Sequence, residues 1–287
     1  MAIFEIDRFD LDVFVADTLA EDMGGPPESG GRDVTSESVI PTEARFTGVM
    51  ASRQDAVIAG LPIAAAFFKA LDASVSLEIL VDEGSRITAG TPVMHLNGRA
   101  RALLTAERSA LNTVQHMTGI ATLTKSYVDK IAHTKAVLLD TRKTIPGLRP
   151  LEKYATRMGG AQNHRMGLWD AAMIKDNHVA VAGNVGEAVR RAVAAGIERI
   201  IVEVDRIDQI EPALAAGATH LLLDNMAPGT LRGAVTLVGG RVPCEASGGV
   251  TLETIGAIAD SGVDYISVGR LTQSAPAADI GLDFSPS

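Results

Sequence analysis

Apolar residues recur at three- and four-residue spacing in LDVFVADTLAEDM (residues 11–23) and around LPIAAAFFKAL (61–71), which predicts two helices. Between them, GGPPESGGRD (24–33) reads as a surface loop. RFTGVMASRQDAVIAG (45–60) and VSLEILVDEGSRITAGTPVMHLNG (75–98) carry short alternating runs broken by Gly and Thr-Pro, as antiparallel strands and turns do. The stretch ALLTAERSALNTVQHMTGIATLTKSYVDKIA (102–132) returns to helical spacing over its whole length. A mixed α/β N-terminal domain, joined to a second domain by this helix, is the expectation.

From residue 135 the pattern repeats. KAVLL, AAMI, ERIIVEV, THLLLD, VPCEA and DYISV are short apolar runs. Several are separated by helix-like segments that close on Gly, a favoured residue just past a helix C-terminus: NVGEAVRRAVAAG, RIDQIEPALAAG, PGTLRGAVTLVGG and TLETIGAIADSG. About twenty residues per strand–helix unit indicates parallel βα units, in a barrel or an open doubly wound sheet. No GxGxxG or GxxxxGK[ST] opens any of the helices. With about six strands visible, an open, incomplete TIM-like barrel is preferred.

Bulk properties then exclude several function classes. The 287 residues are 46% hydrophobic with mean hydropathy +0.17, ordinary for a globular chain. A formal charge of −9 argues against a general nucleic-acid binder. A single cysteine, Cys244, excludes an internal disulfide framework and fits a reducing compartment. The N-terminus MAIFEIDRFD does not resemble a signal peptide, and no apolar run is long enough to cross a bilayer. A cytoplasmic protein without membrane or nucleic-acid partners is expected.

Chemistry collects directly after the apolar runs. VLL leads to Asp140, Arg142 and Lys143, and AMI to Lys175, Asp176, Asn177 and His178. RIIVEVD carries Glu203 and Asp205, LLLDN carries Asp224 and Asn225, PCEASGG carries Glu245 and Ser247, and YISVGR ends in Gly269 and Arg270. Strand C-termini share one face of an α/β barrel, so these residues should converge on one mouth. Arg142, Lys143, His164, Arg165 and Lys175 suit a small polyanion. Glu203 and Asp224 suit a hard cation such as Mg²⁺, completed by substrate phosphates. Ser247, Gly248, Gly249 and Gly269 offer backbone N–H groups with no Cβ in the way, as phosphate sites on this fold do. Together they suggest a phosphorylated sugar meeting an anionic acceptor. One charge at one strand end is ordinarily a solvated surface group; here the charges recur at the same phase of successive units. His116 is expected to be a satisfied structural histidine and Cys244 a small buried residue. Neither CxxC nor HExxH occurs, which argues against zinc.

The block DTRKTIPGLRPLEKYATRMGGAQNHRMGLWDAAMIKDNH (140–178) resembles the signature of the quinolinate phosphoribosyltransferase family, the carboxylating nicotinate-nucleotide pyrophosphorylases. DVTSESVIP, AERSALNTVQHMTGIAT, EVD, LLDN, EASGGV, SVGRLTQSAP and the closing DIGLDF resemble it in the same order, over nearly the whole chain. The resemblance implies an N-terminal α/β sandwich (1–115, with the tail 276–287 packing back on it) and an open α/β barrel (116–275). It implies a homodimer, or a larger assembly of dimers, with sites shared across the interface. Arg142, Lys143, His164, Arg165 and Lys175 would bind the two quinolinate carboxylates, with Arg108 reaching in from the neighbouring subunit. Glu203 and Asp224 would hold Mg²⁺ and the ribose hydroxyls of phosphoribosyl pyrophosphate, and Ser247, Gly248, Gly249 and Gly269 its phosphate. Lys143, Glu203 and Asp224 would carry the catalysis.

The sequence departs from that pattern at Ile145, Ala161 and Gln273, and in the lengthened loop 24–31. Gln273, where His is usual, is therefore left out of the expected site. Two other readings stand beside the transferase: a ModD-like paralogue acting on a different acceptor, and a non-catalytic anion-binding protein of the same fold. The Lys175–His178 block and the paired carboxylates Glu203 and Asp224 favour the transferase.

Overall fold

The computed structural model describes residues 6–286. The chain runs through helices α1 (Leu11–Met23) and α2 (Val34–Val39), strands β1 (Arg45–Ser52) and β2 (Ala56–Val57), and helix α3 (Leu61–Leu71). Strands β3 (Ser76–Ile79), β4 (Arg86–Ile87) and β5 (Pro92–Arg99) lead into the long helix α4 (Ala100–Ile131). The remainder is β6 (Val137–Leu139), α5 (Arg149–Met158), β7 (Ala172–Ile174), α6 (Asp176–Ala182), α7 (Val185–Ala194), β8 (Ile200–Val204), α8 (Ile210–Ala216), β9 (His220–Asp224), α9 (Pro228–Val238), β10 (Cys244–Ser247), α10 (Ile255–Ala259), β11 (Tyr265–Ser267), α11 (Arg270–Gln273) and β12 (Ile280–Pro286). Among the described residues no helix is long and apolar enough to cross a membrane.

These elements form two compact units. One comprises the chain up to Leu123 together with Pro150–Gly159 and Ala275 onward; the other comprises Thr124–Arg149 and Gly160–Ser274. The sequence reading drew the boundary at 115/116 and kept residues 150–159 with the barrel. The structure groups nearly all of α5 with the first unit, where Glu152 lies 2.9 Å from His116 and the Tyr154 hydroxyl donates to Glu83 at 2.8 Å.

In the first unit an antiparallel sheet of order β12-β1-β5-β3 is built on alternation. β1 buries every second residue from Gly48, through Met50, to Ser52, as a half-covered strand does. β12 returns from the far end of the chain to pair with β1, Gly48 opposite Phe284. Helix α1 opens on Asp10, whose carboxylate accepts the Val13 N–H at 3.0 Å, and closes on left-handed Gly24. Asp33 caps α2 in the same way and also accepts from Ser36 and Thr105 hydroxyls, which ties the segment after the 24–31 loop to α4. His116 is the structural histidine expected: its Nε2 lies 2.9 Å from Oε1 of the buried Glu152 on α5.

In the second unit six parallel strands form one sheet of order β6-β11-β10-β9-β8-β7. Parallel strands flanked by helices are covered on both faces, which explains why β8 and β9 read as continuous apolar runs: Ile201, Val202, Leu221 and Leu223 are fully buried. Burying each such side chain contributes about 1.5–3 kcal/mol. The sheet is open rather than a closed barrel, β6 and β7 being its two edges. Gln162 lies against the β6 edge: its N–H donates to Leu138 O at 2.9 Å and its carbonyl accepts from Asp140 N at 3.3 Å.

Helix α4 needs its glycine. A Cβ on Gly119 would stand 2.0 Å from the backbone carbonyl oxygen of Pro276, in the segment that leads to β12. Gly119→Ala should therefore destabilise the protein by about 2 kcal/mol, a cost typical of overpacking. Scanning calorimetry should show the thermal midpoint lowered by roughly 5 °C; an unchanged midpoint would mean that the helix and this segment separate freely.

Candidate active site

The C-terminal ends of the six parallel strands surround a cavity of about 800 Å³. Its walls include Arg142, Lys143, His164, Arg165 and Lys175 from the expected cationic set. Glu203, Asp224, Ser247, Gly248, Gly249 and Gly269 from the expected cation and phosphate set line the same cavity. Residues more than a hundred positions apart thus meet because successive βα units deliver strand ends to one face.

The cationic wall is positioned by backbone tethers. After β6, the Lys143 N–H donates to the Thr141 hydroxyl at 3.0 Å, and the Lys143 carbonyl accepts from the Thr272 hydroxyl at 2.7 Å. Pro146 and Gly147 (φ +83°) then turn the chain, with Leu148 N–H donating to Ile145 O at 3.1 Å, a type II arrangement. Arg149 is structural: it donates to the Thr144 hydroxyl and the Met166 carbonyl. Asp140, fully buried, is the anchor on the other side. Its carboxylate accepts Asn163 Nδ2 at 2.6 Å and the His164 N–H at 2.9 Å. Arg165 follows, 7% exposed, with Nη1 donating to Ala171 O at 2.8 Å. Burial, and then the Arg142 guanidinium beside it, push the Arg165 guanidinium below its ordinary value. Arg165 is thus a buried charge beside a like charge, and an anion entering the cavity relieves it.

The other wall is acidic and glycine-rich. Lys175 forms an ion pair with Glu203, and Asp224 accepts from Asn225 Nδ2 at 2.6 Å. Asn225 holds a positive φ of 54°, unusual for a residue with a side chain but tolerated by Asn. Its N–H donates to Ser247 O, which joins the ends of β9 and β10. Glu203 and Asp224 come from neighbouring strands and supply hard oxygen donors; no cluster of three or more His, Cys, Asp or Glu that could hold a metal occurs among the described residues. That donor set fits a Mg²⁺ ion that takes its remaining ligands from substrate and water.

The two halves of the chain match the family models for the N-terminal domain (residues 33–118) and the C-terminal domain (residues 120–283) of quinolinate phosphoribosyl transferase. The chain belongs to the quinolinate phosphoribosyltransferase family. It is 44% identical over 259 residues to the carboxylating nicotinate-nucleotide pyrophosphorylase of Mycobacterium leprae, covering 88% of this chain and 91% of that one. A probable enzyme of the same name from Bacillus subtilis is 40% identical over 88% of both chains. The crystal structure of NadC from Streptococcus pyogenes superposes with a TM-score of 0.92 at 35% identity, over 99% of both chains.

Set beside the quinolinate phosphoribosyltransferase pattern, every expected site residue lines the cavity except Arg108, which is exposed on α4 in the other unit. Gln273, set aside because His is usual there, does line it. So do Asn225, Glu245 and Arg270, which the strand-end pattern places at the mouth without a role, and Thr141, which it does not single out. For Glu245 a signal existed: a carboxylate inside the apolar run VPCEA. Gly269 also has a local reason to be glycine. A Cβ there would stand 2.7 Å from Cδ of Lys143, so the glycine lets the lysine stem pass. Cys244 is buried as expected, and burial followed by Asp264 pushes its thiol up to about 11, which makes it unreactive.

Gly248 and Gly249 both sit at positive φ, +92° and +59°, but only the first is crowded. A Cβ at Gly248 would meet Asn225 Oδ1 at 2.2 Å, whereas none of the surroundings of Gly249 lies within 4 Å. Urea unfolding should show Gly248→Ala losing about 3 kcal/mol and Gly249→Ala only about 1 kcal/mol, the ordinary cost of a left-handed alanine. Equal losses would contradict the Gly248–Asn225 contact.

Proposed function

We propose that this chain transfers the phosphoribosyl group of phosphoribosyl pyrophosphate to quinolinate with loss of one carboxylate, giving nicotinate mononucleotide, CO₂ and pyrophosphate. The observation that carries the reading is the single cavity in which Arg142, Lys143 and Arg165 face Glu203, Asp224 and the Ser247–Gly249 turn. A dicarboxylate belongs against the guanidinium pair, where it offsets charge that burial leaves uncompensated. The phosphate of the sugar belongs against the glycine turn.

The chemistry needs little covalent help from the protein. The C1–O bond to pyrophosphate breaks as the pyridine nitrogen bonds to C1, and the ring becomes a pyridinium. The C2–carboxylate bond then breaks, its electron pair enters the ring carbon, and a proton completes the product. Arg142, Lys143 and Arg165 hold the acceptor so that its nitrogen meets C1, and they offset the repulsion between two polyanions. Glu203 and Asp224 would hold Mg²⁺, which when bound supplies charge neutralisation to the leaving pyrophosphate. Lys175, paired with Glu203, places a further cation beside these carboxylates. The working form is a homodimer or a larger assembly of dimers, in which the partner subunit's Arg108 adds a cation to the acceptor subsite; the exposure of Arg108 on α4 supports this.

Purified protein given quinolinate, phosphoribosyl pyrophosphate and Mg²⁺ should form nicotinate mononucleotide and CO₂ in equal amounts. Product from nicotinate but not from quinolinate would overturn the acceptor assignment. Lys143→Ala and Arg165→Ala should each lose about 10²–10³-fold in turnover, the range seen when a preorganised donor is removed, while keeping the native circular dichroism spectrum. Near-normal turnover in either variant would remove that residue from the site, and a fully active monomer would contradict the shared subsite.

A further inference from the structure

The floor of the cavity holds a carboxylate that the proposed reaction does not use. Glu245 stands in the middle of β10 between Cys244 and Ala246, with no exposed surface. Packing alone would place an apolar residue there, because a buried carboxylate costs several kcal/mol unless it is paired. Its partners come from three directions: His164 from the segment before β7, His220 from β9 and Ser267 from β11. Oε2 lies 2.9 Å from His220 Nε2 and 3.3 Å from His164 Nε2. The longer of these is an electrostatic contact rather than a tight hydrogen bond. Behind His220, the Tyr265 ring stacks at 5.7 Å, and Asp264 is held by Lys135 and by the Cys244 N–H.

The other nitrogen of His164 decides the ring's form. The Arg165 N–H donates to His164 Nδ1 at 2.7 Å, so Nδ1 acts as an acceptor and carries no proton. The proton of the neutral ring is then on Nε2, facing Glu245. We propose that Glu245 is a positioning residue for the cavity: its carboxylate, 3.3 Å from His164 Nε2, attracts the proton there electrostatically and so favours that ring's tautomer and orientation against the Arg165 backbone.

Burial by itself would raise the Glu245 carboxyl, but its contacts with His164, His220 and Ser267 outweigh it and hold it below the usual carboxylate range, which keeps an acceptor beside the two rings. The ring therefore spends Nδ1 on the backbone that carries Arg165. Positive charge for an anionic ligand comes from Arg142, Lys143 and Arg165, and His164 sets the shape of the wall between them. The link to quinolinate rests on the function proposed above; the tautomer does not.

Nitrogen-15 NMR of histidine-labelled protein near neutral pH, with H164Q and H220Q as assignment controls, reads the ring directly. The expected signature for His164 is a bare Nδ1 and a protonated Nε2. An Nδ1–H tautomer or a doubly protonated ring would overturn the proposal, whatever the enzyme turns over. In E245Q the His164 signature should change, and quinolinate affinity by calorimetry should fall about 10–100-fold, the range for lost partners of a binding group. Affinity for phosphoribosyl pyrophosphate should remain within about threefold, because E245Q leaves the glycine turn intact. An unchanged His164 signature with unchanged quinolinate affinity in folded E245Q would also overturn it. If wild-type protein binds no quinolinate, the functional reading fails while the wild-type spectrum still decides the tautomer.

Discussion

The buried carboxylate of Asp140 is the constraint on which the site depends. The parallel sheet is open, and an open sheet leaves unpaired backbone groups along its edges. At the β6 edge, Gln162 takes up part of that demand through the backbone. Asp140 then holds Asn163 and the His164 N–H from the next two positions. Arg142 and Lys143 leave the strand on one side of this clamp, and His164 and Arg165 arrive on the other. Without it, two segments separated by some twenty residues of chain would have no reason to keep one register, and the cationic wall would lose its geometry.

The wall is a local violation of the rules that stabilise a fold. An acidic protein places Arg142 beside a nearly buried Arg165, so that burial and like charge both act against the guanidinium. Such conflicts are expected where binding energy is to be recovered from a ligand. The opposite wall is balanced internally. Lys175 neutralises Glu203, and Asn225 occupies a left-handed conformation to bring its side chain against Asp224. A dianion on one side and a cation-bearing phosphate ester on the other would each replace an internal arrangement with a better-compensated one.

Much of this was legible in the sequence because strand ends carry charge at a constant phase. KAVLL, AAMI, ERIIVEV, THLLLD, VPCEA and DYISV each coincide with one of the six parallel strands to within a residue or two, and residues that follow them line the cavity. What was not legible is tertiary. The block from Asp140 to His178 reads as one continuous signature, yet its central helix α5 belongs to the other unit, since periodicity shows that a face is buried but not against what. That Gly269 also leaves room for the Lys143 stem is visible only in the structure. Glu245 could be seen as an anomaly in an apolar run, but its two histidine partners lie 25 and 81 positions away and no local pattern links them.

The central claim is that the guanidinium wall is built for two carboxylates on one ring. Isothermal titration of the protein with pyridine-2,3-dicarboxylate and with pyridine-3-carboxylate, each without phosphoribosyl pyrophosphate, tests it directly. The dicarboxylate should bind at least about tenfold more tightly, since one charge-assisted hydrogen-bonded contact is worth about 1.5–3 kcal/mol. Added salt should narrow the difference only slightly, because Arg165 is nearly buried. Equal affinity for the two acids would contradict the assignment of the wall, and with it the reading of why this acidic chain gathers its cations there.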